Sequence, residues 1–240
     1  GAVGLLRRLV QKLRAAFPGA SLRVRLDGGF AGPRMFDFLE AQRVEYVVAM
    51  ASNARLEKRV RRLMGKARMH SKATGRTEHL YGETRYAAKK WSRKRRVIMK
   101  AEVVRHPGRA PKNNPRFVVT NLPDAPQAVY EFYCQRGDME NRLKELHQGL
   151  ELDRTSCSRF WANQFRVLLT VATYILFQEL RRRARGTACA DAQVTTLRER
   201  LLKLAVWVER SVRRIVLHLP VTFPWLRTWR QLARAVGATP

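Results

Sequence analysis

The chain predicts a mixed α/β fold, and three features of the sequence point there. A helix–strand–helix–strand order opens it, as in one half of an α/β domain. Short β-like runs separated by Gly-, Pro- and Asn-rich loops fill the middle. From about residue 123 the apolar spacing turns helical and stays so almost to the end. With 45% of its 240 residues hydrophobic, the chain can build a real core, which excludes a disordered basic tail.

The elements follow in order. Leu5, Leu6, Leu9, Val10, Leu13 and Phe17 recur at helical spacing, and Pro18-Gly19 ends that helix. In 21–27 the residues alternate, Leu22, Val24 and Leu26 on one face and Arg23 and Arg25 on the other, as a strand does. Pro33 opens a helix over 33–43. The unbroken apolar run of 44–51 reads as a strand buried on both faces, parallel or central in its sheet. Residues 54–68 are very basic and helical, with Leu56, Val60, Leu63 and Met64 on the apolar side. β-like runs start at Arg85, Arg96 and Arg116. Helices are expected over 159–184, 191–209 and 225–236, with a strand from Val212 to Leu219. The expected divisions are 1–53, a basic β-containing segment 54–122, and a helical region 123–240.

Charge narrows the function. Lys and Arg number 48 against 19 Asp and Glu, a formal net charge of +29, and the pI is near 11.5. A polyanionic partner is implied, nucleic acid before a membrane surface or a heparin-like polymer. Cys134, Cys157 and Cys189 form no Cys-x-x-Cys pair and no cluster with His, so neither a zinc site nor a disulfide framework is expected, in keeping with a reducing compartment. The opening Gly1-Ala-Val-Gly-Leu-Leu-Arg-Arg does not read as a signal peptide. The longest apolar stretch, Val167 to Phe177, is too short to span a bilayer and reads as a buried helix.

Two carboxylates stand out. Asp27 ends the strand of 21–27 and is followed by Gly28-Gly29-Phe30. Glu140 lies in a segment running from Tyr133 to His147, where Tyr133, Arg136, Glu140, Lys144 and His147 fall within about 80° of one another on a single helix. Phe132, Met139, Leu143, Leu146 and Leu150 form a separate face, the expected core side. One face would pack while its neighbour presents an acid flanked by cations and a phenol.

That segment resembles the signature of DDE insertion-sequence transposases, the group with Tyr-x2-Arg-x3-Glu-x6-Lys on the catalytic helix. Tyr133, Arg136 and Glu140 match at the required spacing. His147 holds the final lysine position, and Lys144 sits one turn earlier on the same stripe. Leu26-Asp27-Gly28-Gly29-Phe30 is similar to the segment carrying the second catalytic Asp of these enzymes, and the likeness runs from about residue 20 to the C-terminus.

The resemblance implies a ribonuclease-H-like catalytic core, truncated here at its N-terminus, with a mostly β insertion and a helical C-terminal region. The first catalytic Asp of the family falls on an earlier strand, for which this chain is expected to carry no sequence, leaving cleavage incomplete in the chain by itself. Also implied are metal-dependent phosphodiester cleavage and strand transfer, a two-metal site for Mg²⁺ (or Mn²⁺) with Asp27 and Glu140 as ligands, and double-stranded DNA, both transposon ends and target, as partner. A homodimer in the synaptic complex, no membrane, and a cytoplasmic, nucleoid-associated bacterial location complete what the likeness implies.

Tyr133, Arg136, Lys144 and His147 would hold phosphates flanking the scissile bond. Arg93, Lys94, Arg95 and Arg96, with Arg55, Lys58, Arg59, Arg61, Arg62, Lys89 and Lys90, read as DNA-backbone contacts, and Trp91 among them as a base-stacking platform. Each has a plainer reading. Asp27-Gly28-Gly29 can be a strand-ending turn, and Glu140 with Arg136 and Lys144 can be ion pairs on a solvated face. Asp37, Asp138 and Glu145 read as cap or surface charges, and Trp91 can equally anchor a core. Phe160, Trp161, Phe165 and Tyr174 read as core. A non-catalytic DNA-binding remnant or regulator is the alternative function, and a general basic nucleic-acid-binding protein a third.

Overall fold

One six-stranded sheet organises the N-terminal part of the chain. Its path is β1–β2–β6–β4–β3, with the short β5 pairing β4, from strands β1 (Arg23–Leu26), β2 (Glu45–Met50), β3 (Glu78–Tyr86), β4 (Arg95–Val104), β5 (Lys112–Asn113) and β6 (Arg116–Thr120). β1 and β2 are parallel, and the remaining neighbours pair antiparallel. The computed structural model describes residues 1–238, and the chain divides into two units, Gly1–Gly137 and Asp138–Pro240.

The parallel pair needs a crossover, and α2 (Pro33–Ala41) supplies it. Pro33 starts that helix, and Arg43 in the left-handed conformation (φ 49°) turns the chain into β2. β2 lies between a parallel and an antiparallel neighbour, and Tyr46, Val47 and Val48 are fully buried, as the unbroken apolar run requires. α3 (Ala54–Thr74) is capped by Asn53, whose side chain accepts the Leu56 N–H at 3.1 Å, and ends at Gly75 in the left-handed conformation. Its Leu56, Val60, Met64 and Ala67 face the sheet core, and its arginines and lysines face outward.

The expected boundary at residue 53 has no counterpart in the sheet. β6 pairs with β2 in register Val47↔Thr120 to Met50↔Phe117, so the strands of 54–122 extend the sheet begun by β1 and β2. β4 and β6 are buried along most of their length, and β3 at the edge is largely half-buried or exposed. Such strands are more stable added to an existing sheet than standing apart as a small one. α1 (Ala2–Ala16) and α4 (Pro126–Cys134) complete the unit, with α1 contributing Val10 to the main cluster and α4 contributing Val129 and Tyr130 to a second one.

The second unit is helical with one hairpin: α5 (Gly137–Lys144, its first residue in the first unit) running into a π-turn at Glu145–Gly149, α6 (Phe160–Arg183), α7 (Val194–Leu197) with a second π-turn at Arg198–Leu202, β7 (Trp207–Arg210), β8 (Ile215–His218) and α8 (Leu226–Ala235). Three expectations are corrected here. The helix of 191–209 ends at Leu202, and its last residues form β7, because Trp207 and Val208 are aromatic or β-branched and pair with His218 and Leu217 of β8. Phe160, Trp161 and Phe165 are exposed rather than core. So are Met139 and Leu143 on the face of α5 expected to pack. Among the described residues, Phe177, Ala184, Cys189, Val194, Leu197, Leu201 and Leu232 form the buried cluster of this unit.

Candidate catalytic site

Asp27 is placed by the end of β1. Leu26 pairs with Val48, and the next residues fold into a single 3₁₀ turn, Gly28–Phe30, beside the end of β2. Asp27 caps this turn, its Oδ1 accepting the Gly29 N–H at 3.0 Å, and the residue is exposed. A Cβ on Gly29 would stand 3.2 Å from that oxygen, so the glycine lets the backbone N–H reach the carboxylate. The carboxylate therefore sits at the carboxyl end of the parallel pair, where open α/β sheets bind their ligands.

Arg25, two residues before Asp27, ties α4 to the same strand. Its guanidinium donates to the Phe132 carbonyl and to Gln135 Oε1, both at 3.1 Å, and lies 4.8 Å from the centre of the Phe132 ring. Arg23 lies over the same ring at 5.1 Å. The end of α4 carrying Tyr133 is thus held against the strand that carries Asp27. Tyr133 is half-buried, 6.1 Å from Tyr130 ring to ring, and Arg136 follows in the turn after α4, its N–H donating to the Tyr133 carbonyl.

The single stripe from Tyr133 to His147 is interrupted. α4 ends at Cys134, α5 begins at Gly137, and the π-turn shifts the register again after Lys144. Gly137, the weakest helix former in the segment, stands at the interruption. Tyr133 and Arg136 belong to the first unit, and Glu140, Lys144 and His147 to the second. Glu140 lies exposed in the first turn of α5, where a carboxylate suits the positive end of the helix dipole, and Lys144 in the last turn suits the other end. His147 is exposed, its Nδ1 3.7 Å from Asp153.

The basic segment before β4 is largely taken up by carboxylates. Arg95 is buried, its side chain 2% exposed, and donates to Asp37 at 2.7 Å and to both oxygens of Glu40 at 2.8 Å. It also stacks on Phe36 and Trp91. Arg93 joins Glu40 at 3.0 Å, and Arg96 joins Glu83 and the carbonyls of Leu122 and Asp124. Burial raises the Glu40 pKa, but hydrogen bonds from Arg95, Arg93 and Tyr46 outweigh it and bring it down to about 2. The reading of Arg95 as a phosphate contact is therefore corrected: two acids and two aromatic rings already occupy it in the core. Trp91 is the core anchor of its plainer reading, edge-on to Phe36 and Tyr86. Lys94 and the outer face of α3, Arg55, Lys58, Arg59, Arg61 and Arg62, are exposed.

Sequence reasoning missed a second buried hub. Glu145 accepts from Arg181, from the Tyr174 hydroxyl at 2.9 Å and from the Val194 N–H at 3.2 Å. Burial raises its pKa, and Arg181 with Tyr174 lowers it further than that. Glu145 is thus a structural anchor rather than a surface charge. Only the pairing of an acid with an apolar flank at Leu143 and Leu146 hinted at this.

Among the described residues, no group of three or more His, Cys, Asp or Glu gathers that could hold a metal ion. Asp27 itself offers what a hard divalent cation takes, an exposed carboxylate, and Mg²⁺ is commonly held by one or two of these plus substrate phosphate. The donor chemistry fits. No helix among the described residues is long and apolar enough to cross a membrane.

Residues 1–239 match the family described as transposase DDE domain group 1. A search of curated proteins gave no match.

Proposed function

The chain belongs to the DDE transposase family, and on that premise we propose that it acts on DNA by metal-dependent phosphodiester cleavage and strand transfer at transposon ends, on a ribonuclease-H-like core. The single observation carrying this reading is the Arg25 bridge. It fastens the start of the Tyr-x2-Arg-x3-Glu segment to the strand that ends in an exposed Asp27. In this reading Asp27 and Glu140 are the carboxylates that hold the divalent ions, Mg²⁺ or Mn²⁺. Two such ions, when bound, activate the attacking oxygen and stabilise the leaving one.

The other residues bind and orient. Arg136 grips a flanking phosphate with its planar fork, and Lys144 and His147 add donors along the same strand. Tyr133 donates its hydroxyl to phosphate or stacks on an unpaired base. The outer face of α3 and Lys94 follow the duplex backbone as point charges. Double-stranded DNA is the partner the family implies, and a homodimer joining two transposon ends is the assembly proposed.

Nicking of supercoiled plasmid in Mg²⁺ tests this reading. Asp27→Asn or Glu140→Gln should abolish the Mg²⁺-dependent nicking that the chain shows, with duplex affinity unchanged. DNA binding without any nicking by the unsubstituted chain would instead leave a DNA-binding member of the family that does not cleave on its own.

A further inference from the structure

The groove between β8 and α8, at the end of the second unit, is not part of the proposed catalytic site. It encloses about 700 Å³, with Arg214 and His218 on the hairpin side and Trp229, Arg230 and Arg234 on the helix side. Arg227, Arg230 and Arg234 also line a second hollow on α8 itself. At i, i+3 and i+7 they fall within about 60° of one another, on one face of the helix. On the hairpin, Arg214 lines the groove, and Arg210 at the end of β7 and Arg213 in the turn to β8 stand next to it.

These six arginines differ from the ones that the fold pairs with its own acids. Arg93, Arg95, Arg96, Arg181, Arg182 and Arg183 all hold carboxylates. Among the described residues, none of the six around the groove makes an ion pair, and all six are exposed. From residue 200 onward Glu209 is the only acid, and it is held 3.2 Å from His218. Six exposed guanidinium groups with one carboxylate in the same stretch of chain make this end of the unit strongly positive.

We infer that this groove is a docking surface for the phosphate backbone of duplex DNA, apart from the catalytic carboxylates. Arginine rather than lysine at all six positions suits bidentate contact to phosphate oxygens. The span from Arg227 to Arg234 is about 10 Å of helix, which matches about three phosphates of one strand at 3.4 Å of axial rise each. The hairpin tip would then meet the opposite strand or the next turn. This rests on the transposase reading, which supplies duplex DNA as the partner.

Two variants of the whole 240-residue chain test it, R210Q/R213Q/R214Q for the hairpin wall and R227Q/R230Q/R234Q for the helix wall. Affinity for a short fluorescent duplex is measured against salt, with near-ultraviolet circular dichroism as the check on folding. Each triple should lower the slope of log affinity against log salt by about 2.7, from about 0.9 per phosphate. Nicking by Asp27→Asn and by the unsubstituted chain is measured alongside. A slope that stays within about one unit of the original in either folded variant overturns the groove. If nicking still depends on Asp27, the transposase reading survives that failure. Loss of anionic-vesicle binding with duplex binding intact would overturn it too, in favour of a membrane surface.

Discussion

Each unit is built around a buried arginine, and the two are set in very different surroundings. Arg95 holds Asp37 and Glu40 beneath Phe36, Trp91 and Tyr46, inside a sheet-and-helix core where Phe36, Leu39, Tyr46 and Val97 are fully buried. Arg181 holds Glu145 at one end of α6, a 24-residue helix that leaves Trp161 75% and Leu176 70% exposed. The first hub is one support among many; the second anchors a unit with few others. A sheet buries both faces of its central strands at once, whereas a helix buries only a stripe, so the same ion pair carries more of the second unit's definition.

The largest effects should come from the hubs and the core. Phe36→Ala should cost about 3–5 kcal/mol of the first unit's stability, from lost contacts and a cavity. Arg95→Ala should cost somewhat less than the roughly 3–5 kcal/mol of a fully orphaned buried charge, because Arg93 and Tyr46 still hold Glu40. Arg181→Ala leaves Glu145 to Tyr174, Val194 and Arg142, and a loss of similar size should unfold the second unit first because less else supports it. Hydrogen exchange resolved by segment separates the two. Equal protection of both units after Arg181→Ala would break the comparison.

Acid should act next. The carboxyl of Glu40 sits at about 2 in the fold against an ordinary 4.5, so its contribution is fully present above about pH 4.5 and is lost as pH falls toward 2. Glu145 is lowered as well, and its contribution falls in the same direction. Thermal melts should therefore weaken on acidification below pH 4.5. In Glu40→Gln, already less stable at neutral pH, that fall should be smaller; a fall of the original size would remove Glu40 from the account. The smallest effect belongs to the exposed face of α6, where Leu176→Ser should stay within about 0.5 kcal/mol. A larger loss would show that something covers this face.

Much of the first unit was legible because its strands are long enough and apolar enough to declare themselves. The runs at 44–51 and 116–120 and the helix after Gly32 fall within a few residues of their expected ends, and the helix capped by Asn53 starts where expected but runs on to Thr74. What escaped were partnerships across sequence. Arg95 reads as one basic residue in a basic run, and only folding brings it to Asp37 and Glu40, 58 and 55 residues away. Glu145 read as a surface charge for the same reason. The helix interruption at 135–136 escaped because Gly137 alone is a weak breaker, and the exposed aromatics of α6 because periodicity reports an apolar face without saying what covers it. Asp27 was legible from its strand end and its glycines; the Arg25 bridge to α4, which supports its role, was not.

In the proposed function Asp27 and Glu140 are ligands of the same divalent ions. Replacing Mg²⁺ with Fe²⁺ and adding peroxide makes the bound ion cut the backbone beside it, and mass spectrometry locates the cuts. With duplex DNA present, cuts are predicted both at Asp27–Gly29 and around Glu140, and both should vanish in Asp27→Asn, because two ions only about 4 Å apart share their ligands. Cuts at one segment alone, or cuts at both that survive Asp27→Asn, would contradict the claim.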